Sequence, residues 1–471
     1  MLIAVTALNR SPTLSDAACH SWRPCIPHCY GIDLMETAHR RRPGGPRGRL
    51  GIGNLYEYDR DRIGFLQRSQ QEYGDVFRYS PSTSFVLEPG LTHEILAQTN
   101  RDFGAESFLF SGTRAALEEF TKVAWTGRRA SRPGLNPKTV ALLANSLLDR
   151  FRAVANSSNE KEVDVFDLMC QFTSGAAVNF CFGEQNAGTL AATLDRTATA
   201  IDAVTNSSLT YPRWLPIPRV RRAVKADQML RNVLSAQVYE ARQTGVSSDA
   251  AGLLQVLLSV ADEPLKDDVI VEILHAVLRG ARGTPAATLT WAVRELSLRP
   301  DIVSRIAAEA RGLETLTSSG QFSSSSLPYT EAFVKELLRV YPPAWILERE
   351  VRHDTCLGEW EFTAGERIIV SPLIVHHDSR WWSSSPSTFS PERWLSGTMP
   401  HARHAFLPFG GGPRVCFGRQ FAFLELTIAV AALAADYTIQ ITNLDTSPTA
   451  PQSLLLPRGL RSRIQRRASY A

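Results

Sequence analysis

The sequence predicts a mainly α protein with small β-sheets, built as a single domain. Apolar residues recur at helical spacing through the middle of the chain, short strand-like runs sit near both ends, and no break between them has the length of a linker. With 471 residues, 44% of them apolar, the chain is long enough to bury a large core.

The helical period marks residues 141–154, 165–182, 223–244, 267–299 and 330–340. Strand signals mark 76–79, 84–87 and 367–371. Polar breaks at 245–251 and 318–326 are followed at once by renewed helical pattern, and 323–326 reads as a flexible surface loop. The folded domain is expected over 43–467, with 1–42 as a disordered leader. The stretch 40–49, RRRPGGPRGR, leads into the domain.

Composition narrows the function classes. The net charge is +4 and six of the 51 basic residues are lysine, a bias that genome composition explains. That balance does not suggest a nucleic-acid partner. Seven scattered cysteines, an odd number, argue against a disulfide framework and for a reducing compartment, here the cytoplasm. Cys19, His20, Cys25, His28 and Cys29 cluster, but their spacing fits no defined zinc pattern. No run of about 18 apolar residues is present, so no transmembrane anchor is predicted.

The informative segment is 406–426, FLPFGGGPRVCFGRQFAFLEL. A lone cysteine beside glycines is commonly a small buried hydrophobe. Here Gly410, Gly411 and Gly412 allow a sharp turn, and Cys416 stands before a helix predicted from about Gly418 to Asp436. A helix N-terminus favours thiolate over thiol. Arg414 adds a permanent cation for an anionic group. A thiolate held in this way suits the axial position of a haem iron.

The spacing Phe409-x-x-Gly412-x-Arg414-x-Cys416-x-Gly418 resembles the cysteine loop of the cytochrome P-450 family, in the manner of its soluble bacterial members. The resemblance extends over nearly everything after residue 43. It implies a cytochrome P-450 fold holding haem b, with Cys416 as iron ligand. It also implies oxidation of a hydrophobic small molecule, such as a terpenoid, polyketide or fatty acid of secondary metabolism, with dioxygen. The electrons would come from a ferredoxin and ferredoxin reductase or a similar donor.

Other segments carry the resemblance further. Glu336-x-x-Arg339 is similar to the family's ExxR motif, with Arg393 in Pro391-Glu392-Arg393-Trp394 as the third member of a buried charged network. Glu57-x-x-Arg60 has the same pattern without that context. Trp125, Arg129 and Arg349 resemble haem-propionate contacts, alongside Arg414. The stretch 209–222 resembles the proline-broken lid of the substrate pocket. Phe108, Leu109, Phe110, Trp214, Val277, Ala281, Ala344, Trp345 and Ile346 are expected to line that pocket. Arg128, Arg129, Arg132 and Arg419 are expected to face the electron donor.

The segment 276–292 resembles the helix that crosses the oxygen face, and it departs from the family pattern. Thr284 keeps the usual alcohol, Gly283 replaces the usual acid, and Pro285 replaces a second threonine. Gly283 cannot relay protons, and Pro285 removes a backbone donor and disfavours helical geometry at Thr284. Water or substrate could supply the relay. The departure also leaves open an isomerase, dehydratase or peroxygenase, and outside catalysis a haem-binding sensor.

Overall fold

The computed structural model describes residues 41–49, 53–104, 136–158, 160–183, 187–205, 217–244, 252–259, 264–382, 385–396, 402–443, 447–450 and 454–467. Six helices position the site: α1 Val165–Phe182, α2 Ala187–Thr205, α3 Pro218–Thr244, α4 Asp267–Leu298, α5 Pro328–Val340 and α6 Arg419–Asp436. The central α4 packs against α1 on one side and α6 on another, and α2 and α3 lie across it. The helices α1 and α6 are nearly continuous apolar sequence, as helices surrounded by protein tend to be, whereas α4 mixes buried apolar residues with charged ones such as Arg282 and Glu295.

Local signals explain the ends. Asp164 caps α1 by accepting from the Asp167 amide, and Gly183 closes it at φ 78°. Pro328 begins α5 in the first turn, where its missing N–H has no partner to lose. Residues 323–326, expected to be a flexible loop, form a single helical turn instead. Ser323 and Ser326 cap it reciprocally, because short hydroxyls satisfy local backbone donors.

A five-stranded sheet flanks the helices. Its strands are β1 Val76–Ser80, β2 Thr83–Val86, β3 Phe103–Gly104, β4 Leu347–Val351 and β5 Arg367–Val370, in the order β1-β2-β5-β4-β3. Strands β2 and β5 pair in parallel, with Phe85 opposite Ile369, so residues 83–86 and 367–370 join one sheet. A second sheet pairs Glu162–Asp164 with Arg461–Arg466 and that strand with Tyr437–Ile441. Chain segments far apart in sequence therefore share one fold.

Pro285 lies inside α4, which keeps the helical form expected of this segment from Asp267 to Leu298. Pro285, Ala286, Ala287, Thr288 and Leu289 are all buried, and that packing outweighs the loss of one backbone hydrogen bond. Face-to-face stacking of Trp291 on Tyr341, with ring centroids 3.8 Å apart, fixes α4 against the end of α5. Tyr341 also donates to the buried Glu295 at 2.9 Å.

Candidate functional site

One cavity, of about 330 Å3, lies between α4 and the start of α6. The α4 wall is Ala276, Val277, Gly280, Ala281, Thr284, Pro285 and Thr288. These positions recur every three or four residues, so they share one helix face. Opposite them stand Phe409, Gly410, Arg414, Cys416, Phe417 and Gly418, with Phe421, Ala422 and Glu425 of α6.

The cysteine loop owes its path to two glycines. Gly410 and Gly412 adopt φ 69° and 64°, a region costly for residues with a Cβ. A Cβ on Gly412 would also lie 1.9 Å from the Leu96 carbonyl oxygen, so the loop closes on the helix Pro89–Ala97 only because the side chain is missing. Gly412 thus shapes the loop without lining the cavity. The Cys416 amide donates to the Phe409 carbonyl at 2.9 Å, and Cys416 is followed by Gly418, the N-cap of α6. Cys170 and Cys181 are unlike it: burial pushes the Cys170 thiol up to about 12 and raises Cys181 as well, so both remain thiols.

Two arginines enter the cavity from the side. Leu347 and Arg349 alternate along β4 toward it, while Glu348 turns away to pair with Arg367 at 3.1 Å. Arg349 is buried, held by the Thr99 hydroxyl at 2.9 Å and the Glu348 carbonyl at 2.7 Å, and has no acidic partner among the described residues. Burial, and then the like charge of Arg414, lower it to about 10. Arg414 donates to the Asn100 side chain at 3.0 Å. Two neighbouring guanidinium groups on one cavity suit an anionic ligand.

Behind the loop lies a buried charged network. Arg339 donates twice to Glu336, at 2.9 and 2.8 Å, and neither side chain has solvent contact. Arg393 approaches Glu336 at 3.5 Å, and Trp394 and the Ser390 amide also donate to it, at 2.9 and 3.0 Å. Remaining Arg339 donors reach the carbonyls of His376, Pro386 and Thr388. By contrast, Glu57 pairs at the surface with Arg49 at 2.9 Å.

His376, which sequence reasoning missed, joins this network to the loop. Its Nδ1 faces the Arg339 carbonyl at 3.1 Å, and its Nε2 accepts the Leu407 amide at 2.9 Å. Burial pushes it down to about 3, so the ring is neutral with its proton on Nδ1. A lone histidine carries no spacing signal, and only the tertiary contact reveals it.

The remaining expected residues divide. Val277, Ala281 and Ala344 line the cavity, whereas Trp345 and Ile346 do not. A bend at Pro343 and Ala344 turns Trp345 into the core, where its carbonyl accepts from Ser371 at 2.9 Å. Thr284 lines the cavity and Gly283 does not; a Cβ on Gly283 would meet Leu454 at 3.2 Å. The next residue toward the N-terminus, Arg282, is buried against Asp195 at 2.8 Å and Asp202 at 3.3 Å on α2, a pairing the sequence reading did not foresee. Arg419 is exposed at the start of α6. Phe108, Leu109, Phe110, Trp125, Arg128, Arg129, Arg132, Trp214 and the Cys19–Cys29 cluster lie outside the described residues. Among the described residues no helix is long and apolar enough to cross a membrane.

Comparison with known proteins agrees with this arrangement. The profile of the cytochrome P-450 family matches residues 43–462. Cyclooctat-9-en-7-ol 5-monooxygenase of Streptomyces melanosporofaciens is 28% identical over 66% of this chain and 70% of its own. Pentalenene oxygenase of Streptomyces avermitilis is 32% identical over 54% of this chain and 57% of its own. Among solved structures, "Retinoic acid bound cyanobacterial CYP120A1" superposes with a TM-score of 0.76, covering 91% of this chain and all of that one, at 20% identity, which speaks to the fold. The chain belongs to the cytochrome P-450 family of haem-iron monooxygenases, and terpenoid-oxidising bacterial enzymes are among its relatives.

Proposed function

We propose that this chain oxidises a terpenoid, with haem b ligated by the Cys416 thiolate and electrons delivered by a separate ferredoxin and its reductase. The observation that carries the reading is the cavity with Cys416 on one wall and the small residues Gly280, Ala281 and Thr284 on the other. The residues present fit a haem. A thiol stands at a helix N-terminus, and Arg349 is a buried cation with no acidic partner among the described residues. Arg349 and Arg414 would hold the two propionates, with Trp125 and Arg129 as further contacts proposed on sequence alone. When bound, the haem supplies the dioxygen chemistry, and thiolate donation favours O–O cleavage.

The chain's own residues do the rest. Loop amides and the α6 terminus favour the thiolate. Phe409, Gly412 and Gly418 shape the loop that presents it, and the network of Glu336, Arg339 and Arg393 braces that loop from behind. Val277, Ala281 and Ala344 offer an apolar wall that binds hydrocarbon and sheds water. Phe108, Leu109, Phe110 and Trp214 are further substrate contacts proposed on sequence alone. Thr284 brings a hydroxyl to the same space and can hold a proton there. Arg419, exposed beside the thiolate loop, would meet an acidic ferredoxin, which steers association more than it adds affinity. A cytoplasmic location is proposed from cysteine usage.

The test is a titration of haem-loaded protein with terpene hydrocarbons, read by the iron spin-state shift and then by mass spectrometry of turnover mixtures containing ferredoxin, reductase and NADPH. A terpene that shifts the spin state and gains one oxygen is expected. A shift confined to fatty-acid or polyketide probes would overturn the substrate class. Turnover with peroxide but never with reductant would replace the monooxygenase reading by a peroxygenase, the reading that the carboxylate-free Gly283 favours.

A further inference from the structure

The stacked pair Trp291 and Tyr341 sits directly behind the cavity. Trp291 lies one turn beyond Thr288 on α4, and Thr288 lines the cavity. Tyr341 stands between Leu338 and Pro343, which line it as well. The ring planes are 2° from parallel, with centroids 3.8 Å apart. Trp291 is fully buried, whereas Tyr341 is half-buried, beside the partly exposed Arg294 and Arg299. The pair thus leads from the cavity wall toward the surface. Stacking alone would be served as well by phenylalanine, yet the Tyr341 hydroxyl donates to Glu295 at 2.9 Å. Glu295 is already paired with Arg294 and Arg299, so it does not need that bond to be satisfied. We infer that Trp291 and Tyr341 form an electron-transfer relay through which a strong oxidant in the cavity draws an electron from near the surface, with Glu295 taking the phenol proton. The inference rests on the haem of the proposed function.

The surroundings decide where the oxidising equivalent comes to rest. Indole and phenol rings both give up one electron to strong oxidants, and parallel rings in contact overlap enough to pass it. The Trp291 N–H donates to the Leu455 carbonyl at 3.1 Å, a group too weakly basic to take the proton, and the Arg294 guanidinium stands 5.7 Å from the Trp291 ring centroid. Both disfavour a positive charge staying on Trp291. Tyr341 faces a carboxylate instead. Burial, and then the charge of Glu295, hold its phenol above the ordinary range, so the hydroxyl keeps its proton until the electron leaves. An oxidised phenol is a strong acid, and the proton then crosses the hydrogen bond. The electron passes from Tyr341 through Trp291 to a haem centre oxidised by hydrogen peroxide, which is reduced by one electron. The Tyr341 O–H bond breaks and the proton joins Glu295, leaving a neutral tyrosyl radical and a neutral acid. A one-electron reductant such as ascorbate returns the electron at the half-buried ring, and Glu295 returns the proton. The relay would spare the haem when no substrate is there to be oxidised.

Electron paramagnetic resonance of haem-loaded protein, mixed with hydrogen peroxide in the absence of substrate and frozen at once, tests this directly. Wild type should give a tyrosyl radical signal. Tyr341→Phe, which keeps the ring and removes the hydroxyl, should lose it, and Trp291→Phe should weaken it. In both variants the haem should bleach after fewer peroxide turnovers. Ascorbate should protect the haem of wild type and not that of Tyr341→Phe. A radical signal undiminished in Tyr341→Phe, or bleaching equal to wild type in both variants, would overturn the relay and leave the pair a purely structural contact. If Tyr341→Phe fails to fold, wild type and Trp291→Phe decide. No tyrosyl signal in wild type, or a signal of unchanged strength in Trp291→Phe, overturns the proposal. The haem spectrum of the same samples keeps the two readings apart. A thiolate-type spectrum without the radical speaks against Trp291 and Tyr341, whereas wild type lacking that spectrum speaks against Cys416.

Discussion

The Nε2 of His376 accepts the backbone N–H of Leu407 at 2.9 Å, and this contact ties the charged network at the end of α5 to the loop that presents Cys416. The other ring nitrogen serves the Arg339 carbonyl, so one neutral imidazole satisfies two buried backbone groups. His376→Phe keeps the shape and strands both groups. It should cost about 2–6 kcal/mol, since each of the two unsatisfied buried groups costs roughly 1–3. The check is the urea midpoint together with haem retained per chain.

The same ring predicts a pH dependence. Its folded value, about 3, lies below the ordinary histidine value of 6.5, so the unfolded chain takes up the proton first. Stability from this group is fully present above about pH 6.5 and falls as the pH drops toward 3, by about 1.4 kcal/mol per pH unit. Urea midpoints of wild type and His376→Phe between pH 7 and pH 4 should converge as the pH falls. A constant gap would contradict the buried neutral ring.

Two glutamates with the same four-residue pattern should behave differently. Glu336→Ala leaves Arg339 and Arg393 buried without their carboxylate and should cost about 3–5 kcal/mol. Glu57→Ala removes an exposed pair with Arg49 and should cost about 0–1 kcal/mol. Thermal denaturation and haem content of the two variants make the comparison.

Gly412→Ala should disrupt the cysteine loop, because the new methyl would overlap the Leu96 carbonyl and the residue keeps a positive φ. Gly410→Ala shares the backbone cost of about 1–2 kcal/mol but meets nothing nearer than Leu347 at 3.8 Å. Haem incorporation should therefore be lost in the first and largely kept in the second.

These residues also show what the sequence made legible. The cysteine loop and the Glu336–Arg339–Arg393 set were readable because fixed spacing encodes a fixed local geometry. The bounds of α1 were readable because its apolar run is framed by Asp164 and Gly183. Shorter helices such as Pro89–Ala97 and Pro300–Glu309 escaped, since a few turns carry too little periodicity. The long helix around Pro285 was readable despite the proline, because its apolar period runs on through both sides. His376 was invisible because it acts through partners distant in sequence, and a lone residue type has no pattern.

The central claim is that Cys416 is the ligand of a haem iron. The direct measurement is the Soret band of reduced protein under carbon monoxide, taken for wild type, Cys416→Ala and Cys356→Ala, the last removing the other exposed cysteine among the described residues. Wild type and Cys356→Ala should show the strongly red-shifted band of thiolate ligation, and Cys416→Ala should lose it. A red-shifted band that survives in Cys416→Ala would contradict the account.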